Sequence, residues 1–410
     1  MTNDFLPVIV GTDINAYTMA ISFHQEYGIT PQLIGQAPLS FTEWSSITTQ
    51  IEYHQDLRAP GRFVPILMDF AKRHAGKPLL LIGTNDAYVR LIVEHAAQLG
   101  QAYRFNYPTL ALLNTFQHKS DFYQLCDQCG IPHPVTKTVT CTLPVPQFDE
   151  TGLRYPVIVK PNDTVKYMYM QFAGKEKVFK CADQAALDQV LGLLAENGYR
   201  ESVLVQEYIP GGDDALWDSV VYVDRNHRAE MVTLAQVVLQ EHDRTAIGNY
   251  TALIARFEAE LMNQLADFLE AVGYTGYANF DMKRDPRDGQ IKIFEANTRQ
   301  GRASYYITGL GQNLARNLVD DCIKGECKPR VLAKGDFLYS IVPKYVLHHF
   351  VKSPGLHREI DQLIGAKHWV NPLFYPADLN GKRRRFLLLR QLNYVRKYYR
   401  NRILTSSQGK

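Results

Sequence analysis

The sequence has few of the features that mark secreted, membrane-spanning or fibrous proteins. Six cysteines in 410 residues are too few for a dense disulfide framework, and no apolar run approaches the length that crosses a bilayer. The opening MTNDFLPVIVGTD lacks the basic, apolar and cleavable order of a signal peptide. With 46% apolar residues the chain can bury two or three cores, so we expect a cytoplasmic globular protein.

The one Cys-x-x-Cys pair, Cys126 and Cys129, has no comparable second pair and lies in a helical pattern. A zinc site of this kind normally needs two such pairs or added histidines. Core or surface thiols are therefore the favoured interpretation.

The net charge of +3 conceals a basic C-terminal tail. Residues 379–410 contain ten Lys or Arg residues and no acid. Leu388, Leu392, Val395 and Tyr399 recur at helical spacing, beside the basic residues Arg384, Arg385, Arg390, Arg396, Lys397 and Arg400. Such a helix could rest on the anionic inner face of a membrane, or pack on its own protein with a solvated basic face. Nucleic-acid binding is not expected, because no recognised motif accompanies the charge.

Two strand–turn–helix units predict an N-terminal α/β domain over residues 1–115. Pro7–Gly11 turns at Gly11-Thr12-Asp13 into a helix near Asn15, and Leu79–Gly83 turns at Thr84-Asn85-Asp86 into a second helix. Neither turn has Gly-x-Gly-x-x-Gly, so a dinucleotide cofactor is not indicated. Free N–H groups at such a helix start attract anions. A substrate carboxylate near Asn15 and ordinary capping are both open.

The most informative stretch is Gly276–Arg302, which predicts a β-hairpin around the turn Asp285-Pro286-Arg287-Asp288-Gly289. Alternation and an antiparallel register would set Asp281 opposite Glu295, with Asn297 two residues further on the same face. Two carboxylates and an amide oxygen suit magnesium shared with a nucleotide. A solvated polar face is the alternative for this pattern alone.

Four ordered segments resemble the ATP-grasp superfamily over about residues 100–325. They are K-P at Lys160, Q-E-Y-I at Gln206, F-D-M-K at Phe280 and F-E-A-N-T-R at Phe294. The opening V-G-T-D-I-N-A-Y and the run E-A-N-T-R-Q-G-R-A-S resemble the D-aspartate ligases over most of the chain. The resemblance implies a mixed α/β and α+β chain with the ATP-grasp fold and a Rossmann-like N-terminal domain. The ATP-grasp domain would span 116–330, with a small lid unit at about 155–210 and a catalytic sheet at about 215–325, followed by a C-terminal extension at 331–410.

The same resemblance implies an ATP-dependent carboxylate–amine ligase that forms an acyl phosphate with two magnesium ions. Its donor would be D-aspartate, and its acceptor the lysine amine of a UDP-linked muramyl pentapeptide in peptidoglycan synthesis. Implied ATP-binding residues are Lys119, Lys160, Thr164, Gln206, Glu207, Ile209 and Asp213, with Asp214 not separated from Asp213. Arg299 and Lys160 would be catalytic, Asp281, Glu295 and Asn297 would bind metal, and Asn15, Arg302 and Ser304 would contact substrate.

The predicted phosphate loop departs from the superfamily pattern. Asn162–Tyr167 has no glycine cluster through which backbone amides could wrap phosphate closely, although Thr164 and Lys166 could donate to it. Tyr167 and Tyr169 alternate with Met168 and Met170, which predicts a half-buried strand.

Two rival functions are carried forward. One is another ATP-grasp ligase that uses a different amino acid or a free amino-acid acceptor. The other is a nucleotide-binding sensor at the membrane that ligates nothing, against which the full set Asp281, Glu295, Asn297 and Arg299 argues.

Overall fold

The chain divides into two compact units. The computed structural model describes residues 4–407 except 163, 177, 244 and 245, and except the side chains of 164, 165, 168 and 402–407. The first unit contains Met1–Leu113, Leu216–Asp281 and Ala296–Lys410, and the second contains Asn114–Ala215 and Met282–Glu295. The three-part division inferred from the sequence stays a prediction.

The N-terminal part is an alternation of short strands and helices. Its strands are β1 (Leu6–Val10), β2 (Gln32–Gly35), β3 (Ile51–Tyr53), β4 (Leu79–Gly83) and β5 (Tyr103–Arg104). Its helices are α1 (Ile14–Tyr27), α2 (Phe63–Arg73), α3 (Asp86–Glu94), α4 (Ala96–Leu99) and α5 (Leu110–Gln117). The strands form a parallel sheet in the order β3-β2-β1-β4-β5. The predicted α/β sheet is confirmed.

Side-chain caps fix where the first helices begin. Asp13 accepts a hydrogen bond from the Ala16 amide at 3.0 Å at the start of α1, and Asn85 accepts one from the Tyr88 amide at 3.0 Å at the start of α3. These bonds satisfy N–H groups that have no partner within a helix. Both caps fall in the predicted turns.

The middle of the chain folds as a small α+β layer. Its elements are α6 (Lys119–Gln128), β6 (Thr136–Thr140), β7 (Val157–Pro161), α7 (Thr164–Tyr169), β8 (Phe179–Cys181), α8 (Gln184–Glu196) and β9 (Ser202–Glu207). The strands form an antiparallel sheet in the order β6-β9-β7-β8, and Asp183 caps α8 by accepting a hydrogen bond from the Ala186 amide at 2.9 Å.

The half-buried strand predicted for residues 167–170 is wrong, because Thr164–Tyr169 is helical. Tyr167 is buried with its ring 5.8 Å from that of Tyr199, whereas Tyr169 is 77% exposed. Alternation over four residues fits a short helix as well as a strand, so the pattern was too brief to decide.

The large sheet follows. Its strands are β10 (Leu216–Val223), β11 (Ala229–Gln240), β12 (Tyr250–Arg256), β13 (Gly276–Arg284), β14 (Ile291–Asn297), β15 (Val331–Leu332), β16 (Leu338–Ser340) and β17 (Trp369–Val370). The order is β14-β13-β10-β11-β12-β16-β17, with β15 paired to β11. The helices are α9 (Ala259–Ala271), α10 (Leu314–Val319), α11 (Lys344–Phe350), α12 (Pro354–Gly365) and α13 (Gly381–Ser407). Both predicted hairpin strands are present.

The C-terminal tail is helical, as its periodicity predicts. The side chains that α13 buries include Leu387, Tyr394 and Tyr398, so the helix packs on its own unit. Leu388 and Leu392 of the predicted apolar stripe are instead exposed. Among the described residues, no helix is both long enough and apolar enough to span a membrane.

A buried ion pair anchors the start of α13. Arg383 is fully buried, and its Nε lies 2.9 Å from Asp378 Oδ2. The guanidinium also donates to the carbonyls of Glu43 and Phe41, at 2.7 and 3.2 Å, and lies 4.3 Å from the centre of the Tyr17 ring. The Tyr17 hydroxyl donates to Asp378 at 2.8 Å. Residues 331–378, which carry little signal in the sequence, thus end at a structural anchor.

We expect Arg383→Ala to lower the free energy of unfolding by about 3–5 kcal/mol, because it leaves the Asp378 carboxylate buried without its cation. Arg384→Ala, at the exposed neighbouring position, is the matched control and should change stability by less than about 0.5 kcal/mol. Urea unfolding followed by circular dichroism measures both. Equal stabilities of the two variants would contradict the anchoring role.

Candidate active site

Asp281 and Asn297 lie side by side in the first unit. The Asn297 Nδ2 donates to Asp281 Oδ2 at 3.0 Å, and both side chains are half-buried. The alternation of β13 and β14 brings these two oxygen-bearing side chains to one place. Two members of the predicted metal set are therefore adjacent.

Arg299 connects this pair to the N-terminal sheet. Its Nη2 donates to Asn297 Oδ1 at 3.3 Å and to Asp86 Oδ2 at 3.1 Å, and its Nε lies 3.0 Å from Asp86 Oδ1. Asp86 is the first residue of α3. The guanidinium is thus fixed by the Asp86 carboxylate on one side and the Asn297 amide on the other. The sequence places Asp86 only in a turn and does not indicate this contact.

The two N-terminal turns meet at Thr84. The Asn15 Nδ2 donates to the Thr84 carbonyl at 2.8 Å, and a Cβ on Gly11 would lie 1.9 Å from the Thr84 hydroxyl oxygen. Gly11 has φ +133°, a second reason why only glycine fits there. Burial raises the pKa of Asp13, against the lowering effects of the Ala16 amide and of Arg299. Asn15 therefore links the turns rather than capping α1.

Several buried polar atoms of Asn15 and of the run that follows β14 have no hydrogen-bond partner among the described residues. They are Asn15 Oδ1, Thr298 Oγ1, Gln300 Nε2 and Arg302 Nε. Unpaired buried polar groups are costly, and clusters of them occur where a ligand completes the bonding. Thr298 and Gln300 were missed in the sequence, although they alternate with Arg299 and Gly301 in the same run.

Arg302 and Ser304, the other two predicted substrate contacts, differ in whether their polar groups already have a hydrogen-bond partner. Arg302 lies over the Phe41 ring at 5.6 Å, and its Nε has no hydrogen-bond partner in the part of the chain that the structure describes. Ser304 is buried, and its hydroxyl donates to the Gly301 carbonyl at 2.9 Å. Ser304 therefore has a local structural partner, whereas Arg302 offers an open donor.

In the second unit, Lys119 pairs with the third metal candidate. Its Nζ lies 3.0 Å from Glu295 Oε2, and both side chains are partly exposed. Tyr123, one turn further along α6, donates to the Phe294 carbonyl at 2.8 Å. These contacts hold α6 against β14, so the predicted phosphate-binding lysine and Glu295 are neighbours.

Lys160 is oriented by Gln206. The Lys160 Nζ donates to Gln206 Oε1 at 3.2 Å and lies 5.8 Å from the centre of the Phe294 ring. The Gln206 amide in turn donates to the Tyr123 hydroxyl at 2.9 Å and to Thr136 Oγ1 at 2.8 Å. Gln206 is buried with these bonds made, so its observed role is to position Lys160.

Glu207 belongs to a network of four charged groups, of which three are buried and Arg287 is exposed. Its carboxylate accepts from Lys292 Nζ at 3.0 Å and from Arg287 Nη2 at 3.1 Å. The Asp285 carboxylate accepts from Lys292 at 2.9 Å and from Arg287 at 2.5 Å. The hydrogen bonds from Arg287, and then from Lys292, hold the pKa of Asp285 well below its usual range, against the effect of burial. The hairpin turn is thereby locked to the end of β9.

The bend after β9 is held by a buried lysine that the sequence did not single out as functional. Lys283 Nζ donates to the Ile209 and Gly211 carbonyls, both at 2.9 Å, and burial lowers its pKa while Asp213 and Asp214 oppose the change. Asp213 is half-buried and Asp214 exposed. The side chain of Thr164 lies outside the described residues.

Comparisons with known proteins identify the chain. A search of protein-family models gave no match. The chain is 32% identical over 409 residues to a D-aspartate ligase of Enterococcus faecium (strain Aus0004), covering 96% of both proteins.

Solved structures share the fold at low identity. An N5-carboxyaminoimidazole ribonucleotide synthetase, solved as its ADP complex, superposes with a TM-score of 0.59 at 13% identity, over 89% of this chain and 87% of that one. An L-amino acid ligase from Bacillus licheniformis superposes with a TM-score of 0.55 at 12% identity, over 79% of this chain and 75% of that one. The predicted ATP-grasp fold is confirmed. The chain belongs to the D-aspartate ligase family and is an ATP-dependent carboxylate–amine ligase.

Proposed function

We propose that this ligase joins the β-carboxylate of D-aspartate to the lysine side-chain amine of a UDP-linked muramyl pentapeptide, as the first half of a peptidoglycan interpeptide bridge. The observation that carries the proposal is the 32% identity to a D-aspartate ligase, which extends over 96% of the chain rather than over the nucleotide-binding part alone. Because substrates of this kind are cytoplasmic, we propose that the enzyme acts in the cytoplasm.

We assign the nucleotide to residues of the second unit. Lys119 and Lys160 supply positive charge for the phosphates, and Gln206 holds the Lys160 ammonium in place. Backbone at Glu207 and Ile209 would meet the adenine edge, and Asp213 the ribose hydroxyls. The buried contacts of Glu207 and Lys283 favour this assignment, because they keep that backbone rigid.

Asp281, Asn297 and Glu295 would hold magnesium. The set offers only carboxylate and amide oxygens, which are the ligands that magnesium prefers. Asn297 Nδ2 is bonded to Asp281, and its oxygen accepts from Arg299. When bound, two magnesium ions would neutralise charge on the transferring phosphoryl group.

The reaction needs no covalent enzyme intermediate. A donor carboxylate oxygen attacks the γ-phosphorus, the bond to ADP breaks, and an acyl phosphate forms. The acceptor amine then attacks the acyl carbon, loses a proton and expels phosphate. Arg299, held in place by Asp86, would donate to oxygen atoms that gain negative charge in these steps.

The first unit offers groups for a small zwitterionic donor. Arg302 Nε is a buried donor without a partner, which suits the α-carboxylate. Asn15 Oδ1 is a buried acceptor without a partner, which suits the ammonium group. Ser304 remains a candidate contact for the peptide acceptor through its place in the same run.

We further propose that α13 rests on anionic lipid. Leu388, Leu389 and Leu392 are 53%, 67% and 66% exposed on a helix whose other exposed residues include Arg384, Arg385 and Arg396. Apolar side chains beside clustered arginines match the interface of an anionic bilayer. The opposite face of α13 packs on the first unit, so the exposed leucines and arginines face solvent.

Product analysis tests the substrates. With MgATP and the UDP-linked pentapeptide, we expect ADP release and a mass gain of one aspartyl residue with D-aspartate and not with L-aspartate. ADP release only with another acid would show that D-aspartate is not the donor, while the ligase activity itself would stand. Tight ATP binding without turnover on any acid and amine would favour a sensor.

We expect Arg299→Gln to lower kcat by about a hundredfold or more, because a donor to developing charge is lost. The affinity for ATP should change little, since Arg299 bonds only first-unit groups among its described contacts. Arg73→Gln, which breaks an ion pair to Glu52 in the same unit, is the control and should keep the parent kcat. Equal kcat values for the two variants would remove Arg299 from the mechanism.

The lipid contact is tested by sedimentation with phosphatidylglycerol and phosphatidylcholine vesicles. Replacing Leu388, Leu389 and Leu392 by serine should weaken binding to the anionic vesicles by about a hundredfold or more, since fully burying a leucine contributes about 1.5–3 kcal/mol and these three are between a half and two-thirds exposed. Leu110→Ser, at an exposed leucine of α5, is the control. Parent protein that sediments with neither vesicle would contradict the proposal.

A further inference from the structure

Two acidic side chains are buried together at the turn between β10 and β11. Asp224 is fully buried and Glu230 is 5% exposed. Their carboxylate oxygens and the Cys327 Sγ all lie within 4.8 Å of one another. None of the three belongs to the ATP-grasp residues discussed above.

The Asp224 carboxylate is only half satisfied. Oδ1 accepts from the amides of Asn226 and Arg228, both at 2.8 Å, which closes the turn. Oδ2 is buried and accepts no hydrogen bond from an N–H or O–H group of the described residues. The Cys327 thiol is hydrogen-bonded to the Asp224 carboxylate, which raises the pKa of the thiol. A buried carboxylate oxygen with neither a cation nor an N–H or O–H donor is one that a bound cation could complete.

Glu230 likewise forms no ion pair among the described contacts, although the charge of Lys328 acts to lower its pKa. Its carboxylate accepts from the Lys328 amide at 2.5 Å. Burial raises the pKa of Glu230 to about 7, with a further rise from the Asp224 carboxylate and an opposing effect of the Lys328 amide. Two buried acids of like charge therefore lie beside a thiol.

The neighbouring cations pair with other acids. Arg225 lies 2.7 Å from Asp321, and Lys328 Nζ pairs with Asp320. Two further arginines lie nearby. Arg330 pairs with Asp267 at 2.7 Å and with Glu270 at 2.8 Å, and Arg228 pairs with Glu270 at 3.4 Å. Among the described contacts, no lysine or arginine side chain forms an ion pair with Asp224 or Glu230.

We propose that Asp224, Glu230 and Cys327 bind a thiophilic divalent cation, best matched by zinc. A thiolate with two carboxylates is a mixed set that zinc accepts, and three protein ligands leave a fourth position for water. Cys327 is exposed and borders a cavity of about 390 Å³ that Asp224 also lines, so an ion has an entry path.

The geometry requires a small adjustment. Ligand atoms around zinc lie roughly 3–4 Å apart at the usual bond lengths, which is within the limit of 4.8 Å seen here. The Cys327 Sγ lies 2.8 Å from Asn226 Nδ2. Rotation of this exposed side chain would bring the sulfur to bonding distance from the ion. The bound ion would tie the β10–β11 turn to the segment that follows α10 and its π-helical turn.

Cobalt(II) titration of the chelator-treated full chain, without nucleotide, tests the proposal. We expect one equivalent of cobalt to give a thiolate charge-transfer absorption in the near ultraviolet, which zinc abolishes and excess magnesium does not. Cys327→Ser should remove the absorption and weaken zinc binding by about tenfold or more, since even second-layer changes cost that much. Cys129→Ser, at the other exposed thiol, should keep both.

The melting temperature distinguishes a metal site from an alternative without metal. In that alternative, Asp224 and Glu230 share a proton or accept a hydrogen bond from the Cys327 S–H. Zinc should raise the melting temperature of the parent and of Cys129→Ser, but not of Glu230→Gln or Cys327→Ser. In chelator, Glu230→Gln should match or exceed the parent, because it removes a buried like charge. Absence of metal uptake, or uptake unchanged in Cys327→Ser, would overturn the site.

Discussion

The position of Arg299 is the constraint on which the arrangement of the first unit depends. One guanidinium bonds Asp86 at the start of α3 and Asn297 at the end of β14, while Asn297 bonds Asp281 on β13. Strand geometry alone would leave these side chains free to rotate. The chain of bonds fixes the guanidinium and the side-chain oxygens that we propose as metal ligands, as electrostatic catalysis at this place would require.

Buried ion pairs serve a different purpose from the half-exposed site groups. Arg383 with Asp378, and Glu207 with Lys292, are completed within the protein and hold backbone in place. Arg302 Nε and Asn15 Oδ1 are buried but incomplete. The contrast between satisfied and unsatisfied buried groups is the reason why we propose Arg302 and Asn15 as binding residues and the two ion pairs as scaffold.

Sequence reasoning succeeded where a pattern is local. The turns before α1 and α3, the strands of the Asp285 hairpin and the helical tail all follow from spacing and turn residues. It failed at residues 167–170, where four alternating residues were too few, and for the inward face of α13, which tertiary packing decided. Asp86 as the partner of Arg299, and the Asp224–Glu230 pair, depend on contacts between distant segments, which no single sequence pattern shows.

We propose above that the enzyme activates the donor carboxylate as an acyl phosphate. To test this step, D-aspartate carrying isotopically labelled oxygen in its β-carboxylate is supplied, and the released phosphate is analysed by mass spectrometry. We expect one labelled oxygen to pass to phosphate for each amide formed, because that oxygen leaves with the phosphoryl group. Amide formation with unlabelled phosphate would contradict the mechanism.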